Sequence, residues 1–292
     1  MRTLALAATA LISGCAVDLD EVNLATTEQF ASPQPCDDFG CGTNSPHFDQ
    51  YGFYRIPKDG TPNADGYAIY GGLMVKSGAV YQLHVDNGRI TGTNPNANPP
   101  LLQSTGLIGA RMYITVNGVF SYYLKIAGVS RMQSWAKKNG VPFTVDTYEL
   151  AWSLNNENFI NLCTVTDVQD PMGMISSHTL LFEGDDIDSV TKTVAPQVNN
   201  NIINFGCAGS ILAKLHLMGH TEVAERAGFV TTTAERTTML KMLSADYCGD
   251  GTPYTIGGQP LNYSDDHDWM NFGPPSELEA KWTENGASCL NT

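Results

Sequence analysis

Ala245-Asp246-Tyr247-Cys248-Gly249-Asp250-Gly251 marks where a helical period stops and a turn begins, and the rest of the chain is read outward from it. Upstream, Thr232 followed three residues later by Glu235 has the form of a capping box. Met239, Leu240, Met242 and Leu243 then recur at the spacing of an inward helix face. This helix is expected to end near Cys248, because Gly249 adopts the left-handed conformation beyond a helix end without steric cost. Asp246 falls close to Met242 and Leu243 on the helical wheel, so its carboxylate is expected to point inward at the negative end of the dipole. A buried carboxylate needs donors to offset its desolvation. Backbone N–H groups are expected to supply them, either at the start of a helix near Cys207 or in the 249–252 turn, giving Asp246 a structural role as a lock between helices.

Downstream, Thr252 to Thr255 and Pro260 to Tyr263 flank Gly257-Gly258 and read as a short hairpin. Upstream, Ala208, Ile211, Leu212, Leu215 and Met218 share one face at the helical period, which predicts an amphipathic helix within 205–220 with Cys207 on its edge. Before Asn199 the period is different. From Tyr51 onward, short β-branched and aromatic runs are cut by Gly, Asn, Asp and Pro, as in an antiparallel sheet. The clearest hairpin runs from Met112 to Ile126 around Asn117-Gly118, since Asn-Gly supplies the two positive φ angles of a type I′ turn. A second, from Ala79 to Thr91, turns at Asp86-Asn87-Gly88. Thr93 to Pro100 reads as an exposed loop, Ser130 to Lys138 as a short helix stopped by Asn139-Gly140, and Val141, Phe143 and Val145 as a return to a period of two. Trp152 and Phe159 read as aromatics packed in the core or beneath a loop. The expected fold is α+β: an antiparallel strand-rich body over 46–200, then two packed helices and a small hairpin over 201–292, packed as one unit and framed by disulfides.

The first 14 residues carry Arg2 and a short apolar run from Leu4 to Leu11, the pattern of a secretory signal too short to span a bilayer. Leu11-Ile12-Ser13-Gly14-Cys15 resembles the lipobox of bacterial lipoproteins, which implies lipidation of Cys15 and membrane attachment through that lipid. Ala16 stands where an Asp commonly retains such proteins at the inner membrane, so the resemblance implies a cell-envelope protein, with the outer membrane favoured. Residues 15–45 then form the anchor and a polar tether, whose coil dimension over Ala16 to Pro35 is on the order of 25 Å. With 16 basic against 30 acidic residues, a formal charge of -14 and a pI near 4.6, the chain is not expected to bind nucleic acid, where affinity rests on neutralising phosphates. Seven cysteines less Cys15 leaves Cys36, Cys41, Cys163, Cys207, Cys248 and Cys289, an even set suited to disulfides in an exported chain. Cys36 and Cys41 can close a short loop eased by Gly40, which leaves four to pair among themselves in an order the spacing does not choose.

Three separated stretches occur together: Asn204-Phe205-Gly206-Cys207-Ala208-Gly209-Ser210 with Ala213-Lys214, then Ser244 to Pro253 around Ala245-Asp246-Tyr247-Cys248, then Trp282 to Cys289. In that order they resemble the ADYC-domain family of exported bacterial proteins, often lipoproteins. The likeness is clear over the C-terminal third and weaker around Cys163. It implies a cysteine-framed extracytoplasmic domain and assigns no reaction. Gly219-His220-Thr221-Glu222-Val223 departs from the aromatic, proline-bearing segment that tends to follow the first helix in the family.

Two chemistries compete with a structural reading. Cys207 at a helix start, with His267 as base and Asp268 as its orienter, has the order of a thiol-dependent hydrolase. Against it, Cys207 sits on an apolar edge and has cysteines available to bond. Asp246 and Asp250, with Asp265-Asp266-His267-Asp268, suggest a cation, but an EF-hand loop counted from Asp246 puts Gly257 where a Glu belongs. His216 and His220 are spaced for a helix face but lack the Glu of a zinc-protease motif. The common phosphate, zinc and serine-hydrolase motifs do not occur. No metal and no cofactor are therefore expected. The reading is a non-enzymatic binding or structural envelope protein with a protein or carbohydrate ligand; the alternative is a hydrolase with Cys207 as nucleophile and His267 as base. An exposed aromatic patch favours the first, and a cleft holding a free Cys207 thiol near His267 favours the second.

Overall fold

Period-two alternation builds most of the chain in the computed structural model, which describes residues 27–31, 42–43, 53–163, 178–196, 201–255, 260–270 and 277–290. The strands begin with β1 (Thr27–Ala31), β2 (Gly42–Thr43), β3 (Ile56–Pro57), β4 (Tyr67–Met74), β5 (Val80–Asp86), β6 (Arg89–Thr93) and β7 (Leu101–Leu102). They continue with β8 (Arg111–Val116), β9 (Val119–Lys138), β10 (Val141–Ser153), β11 (Ile160–Asn161), β12 (His178–Glu183), β13 (Asp185–Asp188), β14 (Thr193–Pro196) and β15 (Ile202–Cys207). Helices α1 (Ile211–Leu217), α2 (Glu222–Arg226) and α3 (Thr233–Ser244) follow, then β16 (Pro260–Ser264), β17 (Glu277–Thr283) and β18 (Gly286–Leu290). The main sheet has the order β3-β15-β12-β10-β9-β8-β4-β5-β6-β7, with β11 beside β10, and a second sheet has the order β18-β17-β1-β16-β2. No helix among the described residues is long and apolar enough to cross a membrane.

The two hairpins expected in the strand-rich body form. Asn117 and Gly118 take φ 52° and 76° between the paired Val116 and Val119, and Asn87 and Gly88 take φ 49° and 70° between β5 and β6. Ser130 to Lys138 is not a helix. It is the second half of β9, and Asn139-Gly140, with φ 53° and 77°, is the turn that pairs Lys138 with Val141. A ladder along nearly the whole of β10 outweighs the weak local preference of that segment, as pairing context commonly does.

The main sheet folds back so that β5 approaches β12, and the Ile90 N–H of β6 donates to Tyr148 Oη of β10 at 2.8 Å. Met112, Ile114, Leu124, Ile126, Tyr148 and Leu150 fill this inner face. The opposite face is covered at one end, where Val145 and Leu180 pack against Ala213 and Leu217 of α1. Beyond α1, its Ile211, Leu212 and Leu215 meet Met239, Leu240, Met242 and Leu243 of α3, which in turn pack on Trp282 of the C-terminal hairpin.

Several boundaries differ from expectation. Residues 205–207 belong to β15, so the sheet continues past residue 200, and the first helix is only Ile211–Leu217, buried on every side and not amphipathic. Gly219, at φ 86°, breaks the helical run before α2, which Thr221 caps through the Ala224 N–H. The capping box of α3 forms, with Thr232 and Glu235 bonded reciprocally. That helix stops at Ser244, with Ala245 in the left-handed conformation at φ 51°, earlier than Cys248. Thr252 to Thr255 is not a strand. Pro260–Ser264 pairs with β1 and β2, and the small hairpin is β17 with β18. Thr27–Ala31, within the expected tether, is thus the strand between β17 and β16. Cys15, Cys36 and Cys41 lie outside the described residues.

Candidate functional site

Cys207 ends β15 and is bonded to Cys163, with Cα atoms 5.4 Å apart and both residues buried. The expected helix-edge position is therefore a strand end, and the sulfur carries no thiolate to attack a substrate. His267 is not its partner. The His267 Nε2 lies 2.9 Å from Glu235 Oε1, and its ring stacks on Trp269 with centroids 4.1 Å apart. Asp268 is exposed, and its N–H donates to Asp265 Oδ1 at 3.1 Å, so it does not orient the imidazole.

The structure instead gathers two histidine–carboxylate pairs. Beside His267 and Glu235, buried His220 points its Nε2 at Asp265 Oδ2, 3.4 Å away. Burial pushes Asp265 up, but the His220 contact and the His267 N–H outweigh it and hold the carboxyl below its usual range. Glu235 is held low in the same way, its burial outweighed by the Thr232 N–H, the Thr232 hydroxyl and His267. Glu235 therefore serves the cap of α3 and the orientation of His267 together. Asp250 is exposed and accepts from the Thr252 N–H at 2.8 Å, a local turn bond. No group of three His, Cys, Asp or Glu among the described residues is arranged to hold a metal ion.

The stretch 245–251 is a keystone. Asp246 is fully buried and its Oδ2 accepts from the Gly251 N–H at 2.8 Å, one of the two places where donors were expected. Its charge partner was not foreseen: Lys241, equally buried, reaches the same oxygen at 2.8 Å and donates to Gly249 O at 2.7 Å. Lys192 adds a bond to Gly251 O from across the turn. Tyr247 lays its ring on Trp282 at 4.9 Å, donates to Glu279 Oε1 at 2.6 Å, and accepts from the Ala287 N–H at 2.9 Å through its carbonyl. A Cβ on Gly249 would stand 2.0 Å from Asn285 O, and one on Gly251 1.7 Å from Val190 O. Tyr247 and Gly249 are thus required by contacts with the β17–β18 hairpin, Gly251 by the close approach of Val190, and Asp246 by Lys241 and Gly251 within the turn itself. The ADYC domain family model matches residues 104–292. The chain belongs to the ADYC domain family. Neither a curated protein nor a solved structure matches the chain.

An aromatic and cationic surface of this ADYC domain lies elsewhere, on the end of the main sheet that α1 does not cover. Tyr70 of β4 pairs with Tyr113 of β8, and Tyr113 with Tyr123 of β9, so three tyrosines stand in one row on one face. Phe120 joins them, 5.0 Å from Tyr123 and 5.8 Å from Tyr113, while Tyr70 is 68% exposed and Phe120 45%. Arg111 and Lys125, two residues along each strand, form the next row, with the Phe159 ring 4.0 Å from Lys125 Nζ and 5.8 Å from the Arg111 guanidinium carbon. Phe159 is therefore a cation-holding ring at the surface and not a core aromatic, whereas Trp152 packs against the core as expected. Beside Tyr70, the bulge at Gly71-Gly72 opens a cleft of about 550 Å³ lined by Lys58, Asp59, Tyr81 and Gln82. Gly72 is confined by its φ of 83° and by Tyr81 O, 2.3 Å from where a Cβ would stand. The sequence carried the signal for this face in its alternation: Met112, Ile114 and Leu124 turn inward, so Arg111, Tyr113, Tyr123 and Lys125 turn out.

Proposed function

We propose that this ADYC domain is a cell-envelope lipoprotein, anchored through lipid on Cys15 with the outer membrane favoured, whose folded part binds a ligand and does not transform it. The observation that carries the reading is the contrast between its two candidate sites: Cys207 is committed to a disulfide, while Tyr70 and Phe120 hold aromatic surface in solvent beside a cleft. Aromatic side chains offer large rigid contact area at low conformational cost, which suits binding. The lipobox and the acidic charge support the envelope and argue against nucleic acid. Cys248 and Cys289 are both exposed, on segments tied by the bond from Ala287 N–H to Tyr247 O, and export is proposed to oxidise them to a second bridge.

Two measurements test this. Palmitate should label the wild type and not Cys15→Ala; label persisting in the variant removes the anchor. Alkylation of the exported, unreduced protein should leave Cys163 and Cys207 unmodified. Modification of Cys207 would return the hydrolase reading, and modification of Cys248 and Cys289 would remove the second bridge.

A further inference from the structure

We infer that this sheet face, whose Arg111, Tyr113, Tyr123 and Lys125 are half-buried, is a site for an acidic sugar residue, whose ring lies on Tyr113 and Tyr123 while its acid group sits at Arg111 and Lys125. This rests on the binding reading above and names the ligand class.

The cations carry the argument. Arg111 and Lys125 are directly opposite on neighbouring antiparallel strands, an arrangement that costs stability when the charges are alike. The other arginines among the described residues, Arg55, Arg89, Arg131, Arg226 and Arg236, each pair with a carboxylate. Among the described residues Arg111 pairs with none, and its Nε is buried without a hydrogen-bond partner. In a chain of formal charge -14, two adjacent cations without an acidic partner among the described residues make a local positive patch that suits an incoming anion. Glu149, on the same face of β10, is turned to His178 at 3.2 Å. Phe159 steadies both cations from one side through its ring face.

The second part is spacing. Arg111 to Tyr113 and Lys125 to Tyr123 are each two residues along a strand, so the cation row and the ring row lie about 7 Å apart. The long side chains of Arg111 and Lys125 can bridge from the cation row to the acid substituent of a pyranose seated over the rings. The flat C–H face of a sugar suits an aromatic ring, and a guanidinium suits a carboxylate or phosphate. The carboxylate and the phosphodiester share this chemistry, and the test separates them.

The full-length protein in detergent is titrated with oligogalacturonate, with phosphomannan fragments and with neutral cellohexaose. Binding of at least one acidic sugar, tighter than the neutral one and weakened by salt, is expected; whichever acidic probe binds identifies the acid group. Arg111→Gln and Lys125→Gln should each weaken the acidic sugar by about tenfold or more and leave the neutral one unchanged. Tyr123→Ala should weaken both, and Tyr70→Ala, at an exposed position, provides a variant that keeps the fold; melting curves identify any variant that unfolds. Acidic sugars that bind no better than cellohexaose, or that bind folded Arg111→Gln as they bind wild type, overturn the inference. Such a failure with Cys207 still unreactive removes the sugar and leaves the binding reading in place, whereas a reactive Cys207 removes the binding reading itself.

Discussion

Asp246 stands at the C-terminal end of α3, where the helix dipole disfavours a carboxylate by about 0.3 to 1 kcal/mol. Lys241 is the reason it is tolerated, because removing one partner of a buried pair costs about 3 to 5 kcal/mol and the larger effect decides. Asp246→Ala, which strands Lys241, should therefore lower unfolding stability by about that amount. Asp246→Asn keeps oxygen for the Gly251 N–H and should cost less, about 1 to 3 kcal/mol. Denaturant melts check both, and wild-type midpoints for the two variants would contradict the lock. His216 sets a pH dependence. Fully buried between Phe143 and Phe182 and bonded to Thr221 Oγ1 at 2.8 Å, it is pushed by desolvation from 6.5 down to about 3. Between those values the unfolded chain takes up a proton that the folded chain refuses, so stability falls as pH drops below 6.5, by about 1.4 kcal/mol per unit. Asp185, pushed by burial up to about 6 against the pull of Arg236, acts in the opposite direction between 3.8 and that value. Comparison with His216→Gln isolates the histidine: wild type should lose stability faster on acidification, and parallel curves would rule the effect out.

Among the elements, the turn after α3 and the bulge in β4 both use glycines at positive φ, for different reasons. Gly71 has φ 76° with nothing within 4 Å of a Cβ, so Gly71→Ala should cost only the left-handed strain of about 1 to 2 kcal/mol. Gly251 has φ 90° and a carbonyl in the way, so Gly251→Ala must move the Val190 backbone and should prevent accumulation of folded protein. Equal expression and melting of the two variants would show that the close approach does not matter. The same economy of parts appears at Glu183, buried at the end of β12, which accepts from the Asn87 and Gly88 N–H groups at 2.7 and 3.1 Å and pairs with Arg226 at 2.7 Å. One carboxylate thereby ties a hairpin turn to a strand and to α2.

For the whole molecule, the disulfide between Cys163 and Cys207 joins the segment after β11 to the edge of the helical layer, across 44 residues. The double variant Cys163→Ser, Cys207→Ser should lose about 2 to 4 kcal/mol, read by thermal or urea unfolding of the oxidised protein. A loss near zero would mean that the sheet alone holds these ends together. The main sheet is helix-covered at one end of its outer face and bare at the other, and the bare end carries tyrosines and cations where a buried face would carry aliphatic residues. That division of one face separates the part of the molecule that holds it together from the part that we propose meets a ligand.

Features set by neighbours along the chain were legible without the fold. Asn117-Gly118 made a hairpin because two adjacent residues tolerate positive φ, Thr232 and Glu235 capped a helix because they are three apart, and Asp246 turned inward with its helix face. Local rules misled at Ser130 to Lys138, where a ladder with β10 overrode the local preference, and at Pro260 to Ser264, whose partners come from β1 and β2. Long-range packing, and not local pattern, sets that Cys207 bonds Cys163, that Lys241 answers Asp246 in the folded turn, that His267 faces Glu235, and that Tyr70 joins the row of Tyr113 and Tyr123. Except for Lys241 and Asp246, which share the end of a helix, these partners lie on separate segments. Their proximity follows from strand pairing and layer packing, where each contact depends on all the others that bring its segments together.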